Sequence, residues 1–254
     1  MSKYKVSPLI PPEKYLSCMT VPAGITAYLG AYHSDCGKYP FHLSRGPNKA
    51  KAPVVLVSSA AGAVGVIIGQ LYKMAGAVVI GVTSTKAKAS RLKNDYGFDF
   101  VIAYKEDEGG MDGGLQRIGN ELKKGRFLID LYVDNVGAGQ LDSAFNYMAL
   151  KGKILGIGAI AELDGYADET KFKGIFKYTT IIARELMFCG FLVSAHLHRI
   201  PEALGSLGSM LAKGDLKTAE TVIVGDFHDW AKLSDQMIRG ENTFGRVILK
   251  VIGK

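Results

Sequence analysis

Residues 54–65 constrain the fold of this chain more than any other stretch. They read Val54-Val55-Leu56-Val57-Ser58-Ser59-Ala60-Ala61-Gly62-Ala63-Val64-Gly65. The β-branched apolar run at the start reads as a strand buried in a parallel sheet. A turn of small residues follows, and then an apolar segment, residues 66–75, that reads as a helix. Strand, glycine turn and helix open a dinucleotide-binding βαβ unit. Alanine 60 stands at the first glycine position of the pattern. Gly62 would let the backbone approach a pyrophosphate, Gly65 would let the helix lie against the strand, and the free N–H groups at the helix start would hold phosphate oxygens. Read alone, the motif also fits a tight βα turn with no ligand.

The rest of the chain keeps the same rhythm. Strands are expected at 77–82, 99–103, 127–134, 153–157 and 186–193. Helices are expected at 86–96, 111–124, 141–150 and 200–213. An earlier helix at 21–32 is entered from a Pro-Gly turn, and polar residues 33–52 read as a surface loop leading to the first strand. This alternation argues an α/β fold, a doubly wound parallel sheet whose ligand lies beyond the carboxyl ends of the strands. Residues 1–20, with three prolines and little periodicity, read as a linker or arm. Residues 21–219 form the nucleotide-binding unit. Residues 220–254 break the rhythm, with strand 221–224, helix 230–239 and strand 247–251, and read as a C-terminal segment.

The stretch after the second strand decides between cofactors. An NAD site offers Asp or Glu there for the ribose 2′-hydroxyl. Here Gly81-Val82-Thr83-Ser84-Thr85-Lys86-Ala87-Lys88 carries hydroxyls and two lysines, and the first carboxylate is Asp95. Positive charge and hydroxyl donors suit a 2′-phosphate, so the segment favours NADP. A solvated helix start is the other reading.

Other chemistry finds little support. The net charge of +7 comes from 31 basic and 24 acidic residues. The lysines are scattered, which reads as a generally basic surface and gives no nucleic-acid partner. Ser58 and Ser59 sit in no GxSxG elbow. The five histidines form no HExxH pair, and His196 with His198 reads as a surface pair, so no metal is expected. Cys18, Cys36 and Cys189 form no CxxC pair, and an odd, sparse set fits a reducing compartment. The most apolar stretch, 60–82, is interrupted by Gln70 and Lys73, so no membrane span and a cytoplasmic location are expected.

Several motifs in correct order carry a family resemblance. Residues 20–254 resemble the nucleotide-binding part and C-terminus of the medium-chain dehydrogenase/reductase superfamily, in its zinc-independent branch of prostaglandin and leukotriene reductases and alkenal double-bond reductases. The motifs are Val21-Pro22-Ala23-Gly24-Ile25-Thr26-Ala27-Tyr28, the turn 59–65, Tyr96-Gly97-Phe98-Asp99, Ala103-Tyr104-Lys105, Asp134-Asn135-Val136-Gly137, Gly156-Ile157-Gly158-Ala159-Ile160, Gly190-Phe191-Leu192-Val193 and Glu241-Asn242-Thr243-Phe244-Gly245-Arg246. The resemblance implies a cofactor set of Thr26, Ala61, Gly62, Ala63, Val64, Gly65, Ser84, Lys88, Tyr104, Asn135, Gly158, Ala159, Ile160, Phe191, Leu192, Val193 and Asn242. Lys88 and Tyr104 would meet the 2′-phosphate end, and Gly158 to Ile160 and Phe191 to Val193 the nicotinamide side. Asn135 could instead cap a turn, Phe191 be plain core, and Tyr104 a surface tyrosine. No catalytic residue is singled out, and Tyr178 reads as a helix-surface tyrosine.

The implied activity is NADPH-dependent reduction of the carbon–carbon double bond of an enal or enone. Reduction of a quinone, or non-catalytic NADP(H) binding, stands as the alternative. In the resembling family full-length members carry roughly a hundred further N-terminal residues that close the substrate cleft, so NADPH binding with weak or absent turnover is expected of the 254 residues here. By the same resemblance, a homodimer is expected through an edge of the sheet near 188–193.

Overall fold

The computed structural model describes residues 10–37, 52–123, 128–163, 174–241 and 243–251. Two helices, α1 (Pro12–Cys18) and α2 (Gly24–His33), precede an alternating series. It runs β1 (Val54–Val57), α3 (Ala63–Met74), β2 (Val78–Thr83), α4 (Lys86–Tyr96), β3 (Phe100–Ala103), α5 (Gly110–Glu121), β4 (Ile129–Asp134), α6 (Ala138–Phe145), β5 (Met148–Gly156), α7 (Tyr178–Ala183), β6 (Met187–Gly190) and α8 (Ile200–Lys213). The chain continues through β7 (Glu220–Gly225), α9 (Trp230–Arg239) and β8 (Arg246–Val251).

Strands β1 to β6 form one sheet in the order β3-β2-β1-β4-β5-β6, with every neighbouring pair parallel. The expected α/β doubly wound architecture is therefore the observed one. The order reverses between β1 and β4, and a crevice opens at such a switch point. The unbroken apolar run of β1 has a simple cause: both faces of the sheet are covered. Val55 and Val57 point into a core shared with Leu29 of α2, Ile67 and Leu71 of α3 and Leu207 of α8. Val54 and Leu56 point into the opposite core, with Leu115 and Ile118 of α5 and Phe145 of α6.

Local chemistry sets the ends of the helices around the future site. Thr85 caps α4 by accepting from the Lys88 N–H at 3.3 Å, and Gly97 ends it at φ 73°, a left-handed conformation that costs glycine little. The Asp99 carboxylate accepts from Val79 N–H at 2.8 Å, and the Asp130 carboxylate from Val54 N–H at 2.8 Å, pinning the amino ends of β2 and β1.

The structure departs from the sequence reading in four places. The arm contains a helix, α1, that no apolar period announced. The helix expected at 141–150 ends at Phe145, because Met148 already pairs with Ile129 of β4 and the following residues belong to β5. A strand expected to reach residue 193 stops at Gly190, and residues 193–199 turn into a 3₁₀ segment; Tyr178, by contrast, is exposed at the start of the short helix α7, as its reading as a helix-surface tyrosine expected. The cysteine reading is also corrected. Cys36 and Cys189 are joined by a disulfide, Cα–Cα 6.1 Å, and Cys18 alone is free and buried. Their 153-residue separation hid the pair, since only the topology lays β6 beside the turn after α2. Most of the loop read at 33–52 and of that at 161–175 lies outside the described residues.

Strands β7 and β8 form a separate two-stranded parallel sheet with α9 between them in sequence. It meets the glycine turn through Gly245, whose N–H donates to Ala61 O at 2.7 Å. Gly62 and Gly245 form an isolated parallel bridge. Gly245 is a required glycine: φ is 71°, and an added Cβ would lie 1.9 Å from Ala219 O.

Candidate cofactor site

The turn after β1 is shaped by two hydrogen bonds. Gly62 N–H donates to Ser59 O at 2.9 Å, and Ala60 N–H donates to Val82 O at 2.9 Å. Gly62 then leads into α3, whose amino end has no side-chain cap. The first N–H groups of that helix are therefore open donors at the positive end of its dipole. Gly65 has no room for a side chain: a Cβ there would stand 2.3 Å from Ser59 O. The helix can lie this close to the turn only because residue 65 is glycine.

Ser58, buried at the end of β1, ties this turn to the end of β4. Its Oγ accepts the Asn135 N–H at 2.8 Å, and its carbonyl accepts Asn135 Nδ2 at 2.8 Å. Asp134 sits beside it, buried. Its Oδ1 accepts from Tyr132 OH at 2.9 Å, Val136 N–H at 3.0 Å and Gly137 N–H at 2.9 Å, and Ser58 Oγ lies 3.3 Å away. Burial pushes the Asp134 carboxyl above the usual carboxylate range, while these donors hold it back. Glycine 158 follows closely, since a Cβ there would meet Asn135 O at 3.1 Å.

At the other end of the sheet, Ser84 and Tyr104 follow the carboxyl ends of β2 and β3, where Tyr104 N–H donates to Thr83 O at 2.9 Å. Lys88 is half-buried and its Nζ donates to Gly240 O at 2.6 Å. Burial, and then the like charge of Lys105, push the Lys88 ammonium below the usual lysine range. The charge of Lys105 is thus felt at Lys88, and this basic corner beside the C-terminal turn would suit an anion. Neither the part played by Lys105 nor the Gly240 carbonyl was singled out from the sequence, although Lys105 stood in a quoted motif.

A cavity of about 520 Å³ opens beyond β4, β5 and β6. It gathers Gly158, Ala159, Phe191 and Leu192 from the expected set, with Asp134, Leu141, Glu162 and Phe188 added to them. Val193 and Ile160 stand just outside its lining, and Ile160 heads a 3₁₀ turn whose N–H reaches Asn135 O at 3.4 Å. Phe191 lines the cavity, and its ring is buried in the core and stacks on His196 at 5.0 Å between centroids. Thr26, in the first turn of α2, is buried with a hydroxyl oxygen that has no hydrogen-bond partner. Asn242 lies outside the described residues.

Residues 63–209 match the zinc-binding dehydrogenase family. The chain belongs to that family. Relatives of known identity include (+)-pulegone reductase of Mentha piperita, 30% identical over 216 residues, covering 85% of this chain and 56% of that protein. The NADP(+)-dependent 2-alkenal reductase of Nicotiana tabacum is 31% identical over the same extent. Prostaglandin reductase 1 of Sus scrofa is 30% identical over 228 residues. These are members of the branch that the sequence motifs resemble. The chain spans little more than half the length of the relatives it matches. Among solved structures, CurA of Vibrio vulnificus in complex with NADPH superposes with a TM-score of 0.76 at 23% identity, covering 96% of this chain and 66% of that one, which supports the fold. Among the described residues, no group of three or more His, Cys, Asp or Glu side chains is placed to hold a metal ion, and no helix is long and apolar enough to cross a membrane.

Proposed function

We propose that this chain binds NADP(H) and supports reduction of an activated carbon–carbon double bond in an α,β-unsaturated aldehyde or ketone. One observation carries the reading. The open donors of the glycine turn, the Lys88–Lys105 pair, Asn135 and the cavity walls all stand along the carboxyl edge of one sheet. Five strand intervals of ~4.8 Å make a track of about 24 Å, an extended site suited to an extended ligand. The uncapped start of α3 offers polar groups that such a ligand would satisfy.

Each residue has a part in this reading. The N–H groups of Ala63, Val64 and Gly65 hold the pyrophosphate at the start of α3. Lys88, with Lys105 beside it and Ser84 and Tyr104 near, takes the 2′-phosphate. Asn135, locked by Ser58, fixes the middle of the cofactor. The largely apolar walls past Gly158, Ala159, Phe191 and Leu192 receive the reacting end of the cofactor. The cofactor, when bound, supplies the reducing equivalent. The relatives named for alkenal, pulegone and prostaglandin reduction support the choice of acceptor. We read residues 21–219 as the nucleotide-binding unit and the exposed edge strand β6, with Met187 and Phe188 open to solvent, as the seam of a homodimer.

The test pairs two measurements on one sample: a cofactor-binding titration, and NADPH oxidation followed by absorbance with several enals, enones and quinones. Binding of NADPH with consumption dependent on an enal or enone is the expected result. Consumption with quinones alone would move the assignment to quinone reduction. A chain that binds neither NADPH nor NADP⁺ would overturn the reading.

A further inference from the structure

The cavity beyond β4, β5 and β6 is bordered by a buried carboxylate, Asp134. Its described lining includes two carboxylates, Asp134 and Glu162, and no lysine, arginine or histidine. The remainder is largely apolar, with Leu141, Ile157, Ile175, Phe188, Phe191 and Leu192. Asp134 is buried, and the field of a buried carboxylate is screened less than that of one at the surface. Asp134 is the better organised of the two. Tyr132 OH and the N–H groups of Val136 and Gly137 converge on Oδ1, and the Ser58 hydroxyl stands within reach. Donors of this kind favour the ionised form and fix its position, but they leave the net charge in place.

The two redox forms of a nicotinamide cofactor differ by one positive charge on the ring. Resting on the function proposed above, we propose that Asp134 makes this cavity favour the oxidised ring over the reduced one, and so sets the driving force of the reaction. A negative charge that tightens the oxidised form relative to the reduced form makes the bound reduced form a stronger donor, by the linkage of binding to the redox equilibrium. The role is one of positioning charge: Asp134 is held by its neighbours and acts on the ring through the field. It also predicts a site from which the oxidised product leaves reluctantly.

The test is the ratio of two dissociation constants, for NADP⁺ and for NADPH, measured by titration with no acceptor present. Asp134→Asn keeps the volume and the acceptor oxygen and removes the charge. The ratio Kd(NADP⁺)/Kd(NADPH) is expected to rise roughly tenfold, the order of effect of one partly screened charge. A residue that merely braces the β4 turn would weaken both forms alike, and an unchanged ratio in a folded variant overturns the inference. Should the variant fail to fold, the same ratio is followed between pH 8 and pH 4 in Glu162→Gln, which removes the other carboxylate lining the cavity. Tyr132, whose hydroxyl burial pushes well above its usual range, stays protonated throughout. Protonation of Asp134 should raise the ratio as the pH falls, and a flat profile refutes the idea. Failure of the wild-type chain to bind either form is a separate result: it overturns the proposed function and takes this inference with it.

Discussion

Replacing Lys88 by alanine asks most directly whether the site was built for a 2′-phosphate. Lys88 is half-buried and bound to Gly240 O at 2.6 Å, and the pressure of burial and of Lys105 already disfavours its charge. A phosphate beside Lys88 would offset that pressure. A charge-assisted hydrogen bond contributes about 1.5–3 kcal/mol. Partial exposure screens it, so the lower part of that range, about 1.5–2 kcal/mol, applies. That corresponds to roughly 10- to 30-fold in NADPH affinity. The lost tether to Gly240 would loosen the C-terminal turn for NADPH and NADH alike and therefore cancels in their ratio. The assay is a fluorescence titration of both cofactors with wild type and Lys88→Ala, at two salt concentrations. NADPH should lose the stated factor, more at low salt, while NADH hardly changes beyond the shared loss. Equal losses for the two cofactors would refute the 2′-phosphate role.

Three further changes test the scaffold. Gly65→Ala would drive a Cβ to 2.3 Å from Ser59 O, and the overpacking should cost about 1–3 kcal/mol or more in thermal or chemical unfolding; an unchanged midpoint would show that α3 can move off the turn. Ser58→Ala strands the Asn135 N–H, at a cost of about 1–3 kcal/mol, seen as a shift in the denaturant midpoint. Replacing Cys36 and Cys189 together by serine should lower stability by about 2–4 kcal/mol under non-reducing conditions and make it insensitive to reductant; equal stability of the two proteins would show that the bond is not formed in solution.

Much of this molecule could be read before folding, and for identifiable reasons. Helices α4, α8 and α9 were bounded to the residue from sequence, since Thr85 and Gly97, Pro201 and Gly214, and Gly240 punctuate them with cap and breaker chemistry. The glycine turn was legible because a close approach of helix to strand admits only glycine at residue 65. Residues 148–150 misled because Met148, Ala149 and Leu150 fit a helix as well as a strand, and pairing with β4 decided between them. Asp134 was quoted only as part of a motif. Its importance rests on Ser58, which is 76 residues away, and on two N–H groups of its own turn, and no spacing rule joins them. The disulfide and the Lys88–Gly240 contact were hidden in the same way, by partners that only topology makes neighbours.

The bridge between Gly62 and Gly245 has a bearing on how the protein comes into being on the ribosome. The turn after the first strand is made early in translation, while the segment that docks on it is made late. Strands β1 to β6 can pair as they emerge, but the bridge to the glycine turn waits until residue 245 has cleared the exit tunnel. The contact from Gly245 N–H to Ala61 O therefore joins the early-made turn to a late-made segment, and the glycine turn gains its full set of neighbours only when that segment docks.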